Sequence, residues 1–113
     1  MEHKMGTTHN SFESIKAGKK KVHMRLLDKK RQEVRPNDTI VFKDLQNGET
    51  LSTKVLSVHL FPTFDELYAF FAKDQLGYEE YEPAHPSDML VYFDREDQVR
   101  QGVIGIVIAP ITD

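Results

Sequence analysis

The apolar positions of this chain change their spacing several times, and the changes mark its elements. Phe12 and Ile15 stand at helical spacing after Asn10, a residue suited to an N-cap, and Gly18 can end a helix with positive φ. A short helix is predicted over Asn10–Ala17. Val22, Met24 and Leu26 then alternate with His23 and Arg25, the period of a half-buried strand, predicted over Lys20–Leu27. Ahead of the helix, Met1–His9 is ambiguous, with a short first strand as one reading. Asp28–Val34 is polar and reads as a turn or one helical turn.

Arg35-Pro36-Asn37-Asp38 is a turn signal, with Pro suited to its second position. Thr39–Lys43 is a short strand with Ile40 and Phe42 on one face. Asn47-Gly48 marks a tight hairpin, and Thr50–Leu60 is the return strand. Phe61-Pro62 breaks that pattern. Thr63 and Glu66 form a capping box. Phe64, Leu67, Tyr68 and Phe71 predict an amphipathic helix over Phe64–Ala72, and at that spacing they read as core rather than as a base-stacking platform.

Asp74–Ser87 is irregular, broken by Gly77, Pro83 and Pro86 and acidified by Glu79, Glu80 and Glu82. Ser87 can cap a third helix, Asp88–Val99, with Met89, Tyr92 and Phe93 inward and Gly102 beyond its end. Val103–Ala109 is apolar on both faces, a central strand buried on both sides. Gly105 within it marks a close approach to the backbone or a bend. The elements define an α+β protein with a small mixed or closed sheet.

Composition narrows the class. A chain of 113 residues is one domain, 1–113, and 39% apolar with 29% charged residues fits a soluble globular protein. The absence of cysteine excludes disulfides and thiolate metal sites. No apolar run is of membrane-spanning length and Met1–His9 lacks a secretory apolar stretch, so a cytoplasmic protein without membrane contact is expected. The five histidines form no His pair at i, i+4 and no HExxH, although His23 and His59 can meet on neighbouring strands. No metal and no cofactor are expected. There is no nucleophilic serine motif, Walker loop or dinucleotide fingerprint.

Charge changes the picture more. The net charge is −3, yet residues 1–60 carry 12 Lys/Arg against 7 Asp/Glu and residues 61–113 carry 3 against 11. Between Lys16 and Arg31 eight of nine charges are positive. Alternation puts Lys21, His23 and Arg25 on one strand face. Lys20 has the wrong parity but adjoins the Gly18 turn, and its long side chain can swing round the strand end. Lys20, His23 and Arg25 together suit a phosphate or carboxylate. A lysine whose pKa is lowered by neighbouring cations also suits a general base or nucleophile. The alternatives are a solvated basic face on an edge strand, or two halves that neutralise each other in the fold.

The spacing Gly18-x-Lys20-x-x-x-x-Arg25 resembles the signature of the ASCH domain family of the PUA-like superfamily. The resemblance continues through Ile15-Lys16-Ala17-Gly18, Asp28-x-Lys30-Arg31-Gln32, the Asn37-Asp38 turn with Thr39-Ile40-Val41-Phe42, and Gln101-Gly102-Val103-Ile104-Gly105-Ile106. It implies a small PUA-like β-barrel of about five to six strands with two to three short helices packed over its openings. It also implies an RNA or nucleotide partner in a basic cleft using Lys20, Lys21, His23, Arg25, Lys30 and Arg31; the small basic patch and the acidic second half of the chain argue that this partner is short or single-stranded. One branch of the family hydrolyses N4-acetylcytidine with the motif Lys, a Thr three residues later and a distant Glu. In that alternative Lys20 and His23 are catalytic. His23 stands where that branch has Thr, and Glu66, Glu79, Glu80 and Glu82 are all open for the Glu.

Overall fold

A computed structural model describes residues 1–111. Its frame is a five-stranded sheet in the order β1-β3-β4-β5-β2, curled into a half-barrel. The strands are β1 (Glu2–Thr7), β2 (Val22–Leu26), β3 (Thr39–Asp44), β4 (Thr50–Phe61) and β5 (Val103–Pro110). The ambiguous N-terminus is therefore a strand. It lies parallel to β3, with His3 opposite Ile40, while the other pairs are antiparallel. Parallel neighbours need a long crossover, and α1 (His9–Lys16) with β2 supplies it. A register shift between Val55 and Ser57 bends β4 across β5 and helps the sheet to curl. At the turn before β3, Asn37 has φ 76°, and Asp38 accepts from Arg35 N–H (3.0 Å) and His3 Nε2 (2.8 Å), tying β1 to that turn.

Both faces of the sheet are covered. Ile104, Ile106 and Ile108 of β5 join Ile40, Phe42, Phe12 and Ile15 on the side of α1. Val22, Met24 and Val103 pack against α2 (Phe64–Phe70) and its flank on the other side, with Phe64, Leu67 and Phe71 as core. The close neighbour of Gly105 is this helix and its C-terminal flank: a Cβ there would stand 2.9 Å from Phe71 and 3.3 Å from Leu67. The Thr63–Glu66 capping box forms as the sequence predicts.

Two helix boundaries depart from the sequence reading. α1 starts at His9, because Thr8 and not Asn10 takes the cap and accepts from Ser11 N–H at 3.3 Å. The predicted third helix divides into a 3-10 helix, Pro86–Val91, and α3 (Arg95–Gln101), capped by Asp94. Met89 is buried, but Tyr92 is 62% exposed rather than inward. Asp94 is the stronger stop-and-start signal, since its side chain accepts from Asp97 N–H at 2.8 Å. Among the described residues no helix is long and apolar enough to cross a membrane.

Candidate functional site

The two outer strands of the half-barrel, β1 and β2, leave an opening between them, and a cavity lies there. It measures about 470 Å³. Gly6, Thr7, Thr8 and Ser11 form its wall on the β1–α1 side, and Lys20, His23, Met24 and Arg25 form the β2 wall. Met89, Val91, Tyr92 and Phe93 close a third side from the 3-10 helix and the residues after it. No carboxylate is among the described residues that line it.

Local geometry explains how Lys20 enters. Gly18 ends α1 with φ 78°, and both Lys19 and Lys20 N–H donate to the Ser14 carbonyl (3.0 and 3.1 Å). Strand pairing begins only at Val22, so the parity of β2 does not bind Lys20. Lys21 and Val22 N–H both donate to the Gln75 carbonyl (2.9 and 3.0 Å), which docks the irregular segment on the start of β2. Lys20 Nζ donates to Ser11 Oγ at 3.0 Å. Burial without a carboxylate partner lowers its pKa to about 8.

His23 is 3% exposed and its ring meets Phe42 edge-on at 4.8 Å. Neither ring nitrogen has a hydrogen-bond partner among the described residues. Burial, and then the charges of Lys20, Arg25 and Arg31, hold its pKa well below the ordinary value, so the imidazole is neutral. Arg25 is partly buried, with its guanidinium 5.6 Å from the centre of the Phe93 ring.

The structure thus brings Lys20, His23 and Arg25 to one cavity and places the other basic residues elsewhere. Lys21 is exposed and borders a separate shallow depression with Lys19, Gly77 and Glu79. Lys30 Nζ donates to the Lys4 carbonyl. Arg31 is buried beneath the strand end and paired with Asp28 at 3.0 Å, where it adds positive potential at His23 without lining the cavity. His23 and His59 do not meet: His59 packs on Phe70 and Phe71. None of Glu66, Glu79, Glu80 and Glu82 lines the cavity. Glu66 is held in the α2 cap, Glu79 pairs with Lys19 at 3.2 Å, and Glu82 accepts from Glu79 N–H.

The site also contains residues that pattern reading did not find. Thr7, Thr8 and Ser11 enter because β1 and α1 face β2, a tertiary relation. Thr8 was a usable signal, since threonine is among the preferred N-cap residues, though it ranks below asparagine. A second polar cluster lies beside the cavity. His9 and Glu13, one helical turn apart, and buried Asp44 hold their donor atoms within 4.8 Å of one another, a grouping able to hold a metal ion. His9 Nδ1 and Asp44 Oδ2 already satisfy each other at 2.7 Å.

A curled half-barrel with helices over its faces and a basic cavity between its edges is a PUA-like architecture, and comparison with known proteins narrows it. The ASCH domain model matches residues 5–102, and the chain belongs to the ASCH domain family. Among solved structures, hypothetical protein PH0355 is 30% identical with a TM-score of 0.79, covering 98% of this chain and 100% of that one. Protein PF0455 from Pyrococcus furiosus is 28% identical with a TM-score of 0.73, covering 100% of both chains. A ZmASCH mutant protein from Zymomonas mobilis shares the fold at 11% identity, with a TM-score of 0.68 and coverage of 98% and 75%. No curated protein matches the chain.

Proposed function

We propose that this ASCH domain protein, acting as one cytoplasmic domain, holds RNA or a nucleotide in the cavity between β1 and β2. One observation carries the reading: Lys20 and Arg25 line a cavity whose facing wall offers hydroxyls and whose lining lacks a carboxylate among the described residues. Such a wall favours an anion, and a phosphate ester satisfies both cations. His23 contacts the same ligand. Arg31 acts through its field, while Lys21 and Lys30 are left to phosphates outside the cavity. Membership of a family generally thought to bind RNA supports the same class of ligand. The acidic second half of the chain disfavours a long polyanion, so the ligand is short or single-stranded.

Fluorescence anisotropy with a short single-stranded RNA over a salt series tests this. Affinity is expected to fall as salt rises, with a slope reflecting about two neutralised phosphates. Lys20→Ala and Arg25→Ala each weaken binding about tenfold and reduce the slope. Salt-independent binding that both variants leave intact overturns the proposal.

The lowered pKa of Lys20 beside the Ser11 hydroxyl favours a second reading, hydrolysis of the amide of a modified nucleoside such as N4-acetylcytidine, with Lys20 and His23 as its catalytic groups. It ranks lower because no carboxylate joins them in the cavity wall among the described residues. Acetate release that is lost in Lys20→Ala would establish it.

A further inference from the structure

Lys20, His23 and Arg25 follow one another in the chain and all line the cavity, and their hydrogen-bonding characters alternate in that order. Lysine and arginine are donors only. Lys20 Nζ gives a hydrogen to Ser11 Oγ, and Arg25 Nε is buried without a partner among the described residues. Between them sits an imidazole with both nitrogens buried and unpartnered, a rare condition that costs free energy until something fills it. The imidazole is neutral, so it has one N–H and one lone pair. No protein hydrogen bond among the described residues fixes which nitrogen holds the hydrogen. The positive charges of Lys20 and Arg25 favour the tautomer that turns its lone pair toward them. The wall then reads donor, acceptor, donor.

The complementary ligand edge reads acceptor, donor, acceptor. Uracil carries that pattern in O4, N3–H and O2. Cytosine has an amino group at position 4, a donor, and a bare lone pair at N3. It would set donor against donor at one cation and lone pair against lone pair at His23. The third side offers rings to a planar base: the Phe93 ring lies 5.6 Å from the Arg25 guanidinium, and exposed Tyr92 lies next to Phe93. We propose that the cavity selects uracil over cytosine through its imide edge, with His23 as the residue that sets the choice. This rests on the reading of the cavity as a nucleotide site.

Calorimetric titration of the full chain with UMP, CMP and N3-methyl-UMP tests it, on wild type, Lys20→Ala and His23→Phe. UMP is expected to bind about five- to a hundredfold tighter than CMP, the range of one good base contact. N3-methyl-UMP, which lacks the N–H, should fall to the level of CMP. His23→Phe should bring the UMP to CMP ratio near unity, while Lys20→Ala weakens both nucleotides. The methylated ligand needs no variant, so a misfolded His23→Phe leaves the test intact. Equal affinities for UMP and CMP, or tight binding of N3-methyl-UMP, overturn uracil selection; if Lys20→Ala still weakens both, nucleotide binding stands. If wild type binds neither nucleotides nor short RNA, both readings fall.

Discussion

Gly77 lies against the aliphatic stem of Lys20. A Cβ at Gly77 would stand 3.2 Å from Lys20 Cβ and 3.3 Å from Cγ, and the backbone there has φ +97°. The irregular segment after α2 thus clamps the stem of the lysine that enters the cavity. Gly77→Ala combines strain at positive φ with pressure on that stem. It is expected to cost about 1–3 kcal/mol, lowering Tm by several degrees, and to weaken RNA binding several-fold. Thermal melts and anisotropy on one preparation check this. Unchanged affinity would mean that the segment does not position Lys20.

Lys20 itself should make the protein less stable in exchange for its charge. Its pKa falls from 10.5 to about 8 on folding. The unfolded chain therefore binds the proton more tightly, and the penalty is full below pH 8. It is relieved as pH rises from 8 to 10.5, by about 3 kcal/mol in total. Lys20→Met keeps most of the stem and removes the charge. It is expected to raise Tm at pH 7, to remove the rise in stability between pH 8 and 10.5 relative to wild type, and to weaken RNA binding about tenfold, as Lys20→Ala does. A variant less stable than wild type at pH 7 would show that the ammonium has a compensating partner.

Much of this arrangement was legible in the sequence, for reasons that are local. Gly18 needs positive φ, Thr63 and Glu66 cap each other, and Ile40 and Phe42 share a face by strand parity. The motif residues Lys20 and Arg25 enter one cavity because the Gly18 turn frees Lys20 from that parity. Alternation fails at His23. It predicts a polar outer face, but the half-barrel curls so that this face looks onto Phe42 and the residue is buried. Lys21 shares its parity yet precedes the paired strand and turns outward. The hydroxyl wall of Thr7, Thr8 and Ser11 depends on β1 crossing to lie parallel to β3, a long-range pairing that no local window contains. The third helix was misplaced because Ser87 and Asp94 both suit an N-cap, and only tertiary packing decides between them.

The His9–Asp44 pair gives a pH signature away from the cavity. The hydrogen bond that His9 Nδ1 donates to Asp44 raises the pKa of His9, and the carboxylate charge adds to the effect. Burial opposes the charge on Asp44, but its bonds to His9 and Gln46 N–H hold its carboxyl below the usual range. A raised histidine pKa contributes stability below 6.5 that is lost as pH rises through the folded-state value. In an NMR titration His9 should therefore titrate above 6.5, and Asp44→Asn should move it down. A wild-type His9 midpoint at or below 6.5 would mean that the pair does not persist in solution.

His23 should produce the opposite slope in a separate window. Its folded-state pKa is depressed, first by burial and then by Lys20, Arg25 and Arg31, so the folded protein refuses a proton that the unfolded chain accepts near 6.5. Stability is then full above 6.5 and falls as pH drops below it, at about 1.4 kcal/mol per pH unit until the folded-state value is reached. Asp38, held at about 2 mainly by His3, enters only below its unfolded value of 3.8, so the interval from 6.5 to 5 isolates the histidine. Urea midpoints at pH 7, 6 and 5 should fall in wild type, and the fall attributable to this residue should vanish in His23→Phe. The same variant should lose the preference for UMP, which links the acid sensitivity to base selection through one ring. An imidazole at position 23 that titrates near 6.5 would break that link, because a charged ring has no lone pair to offer the uracil N3–H.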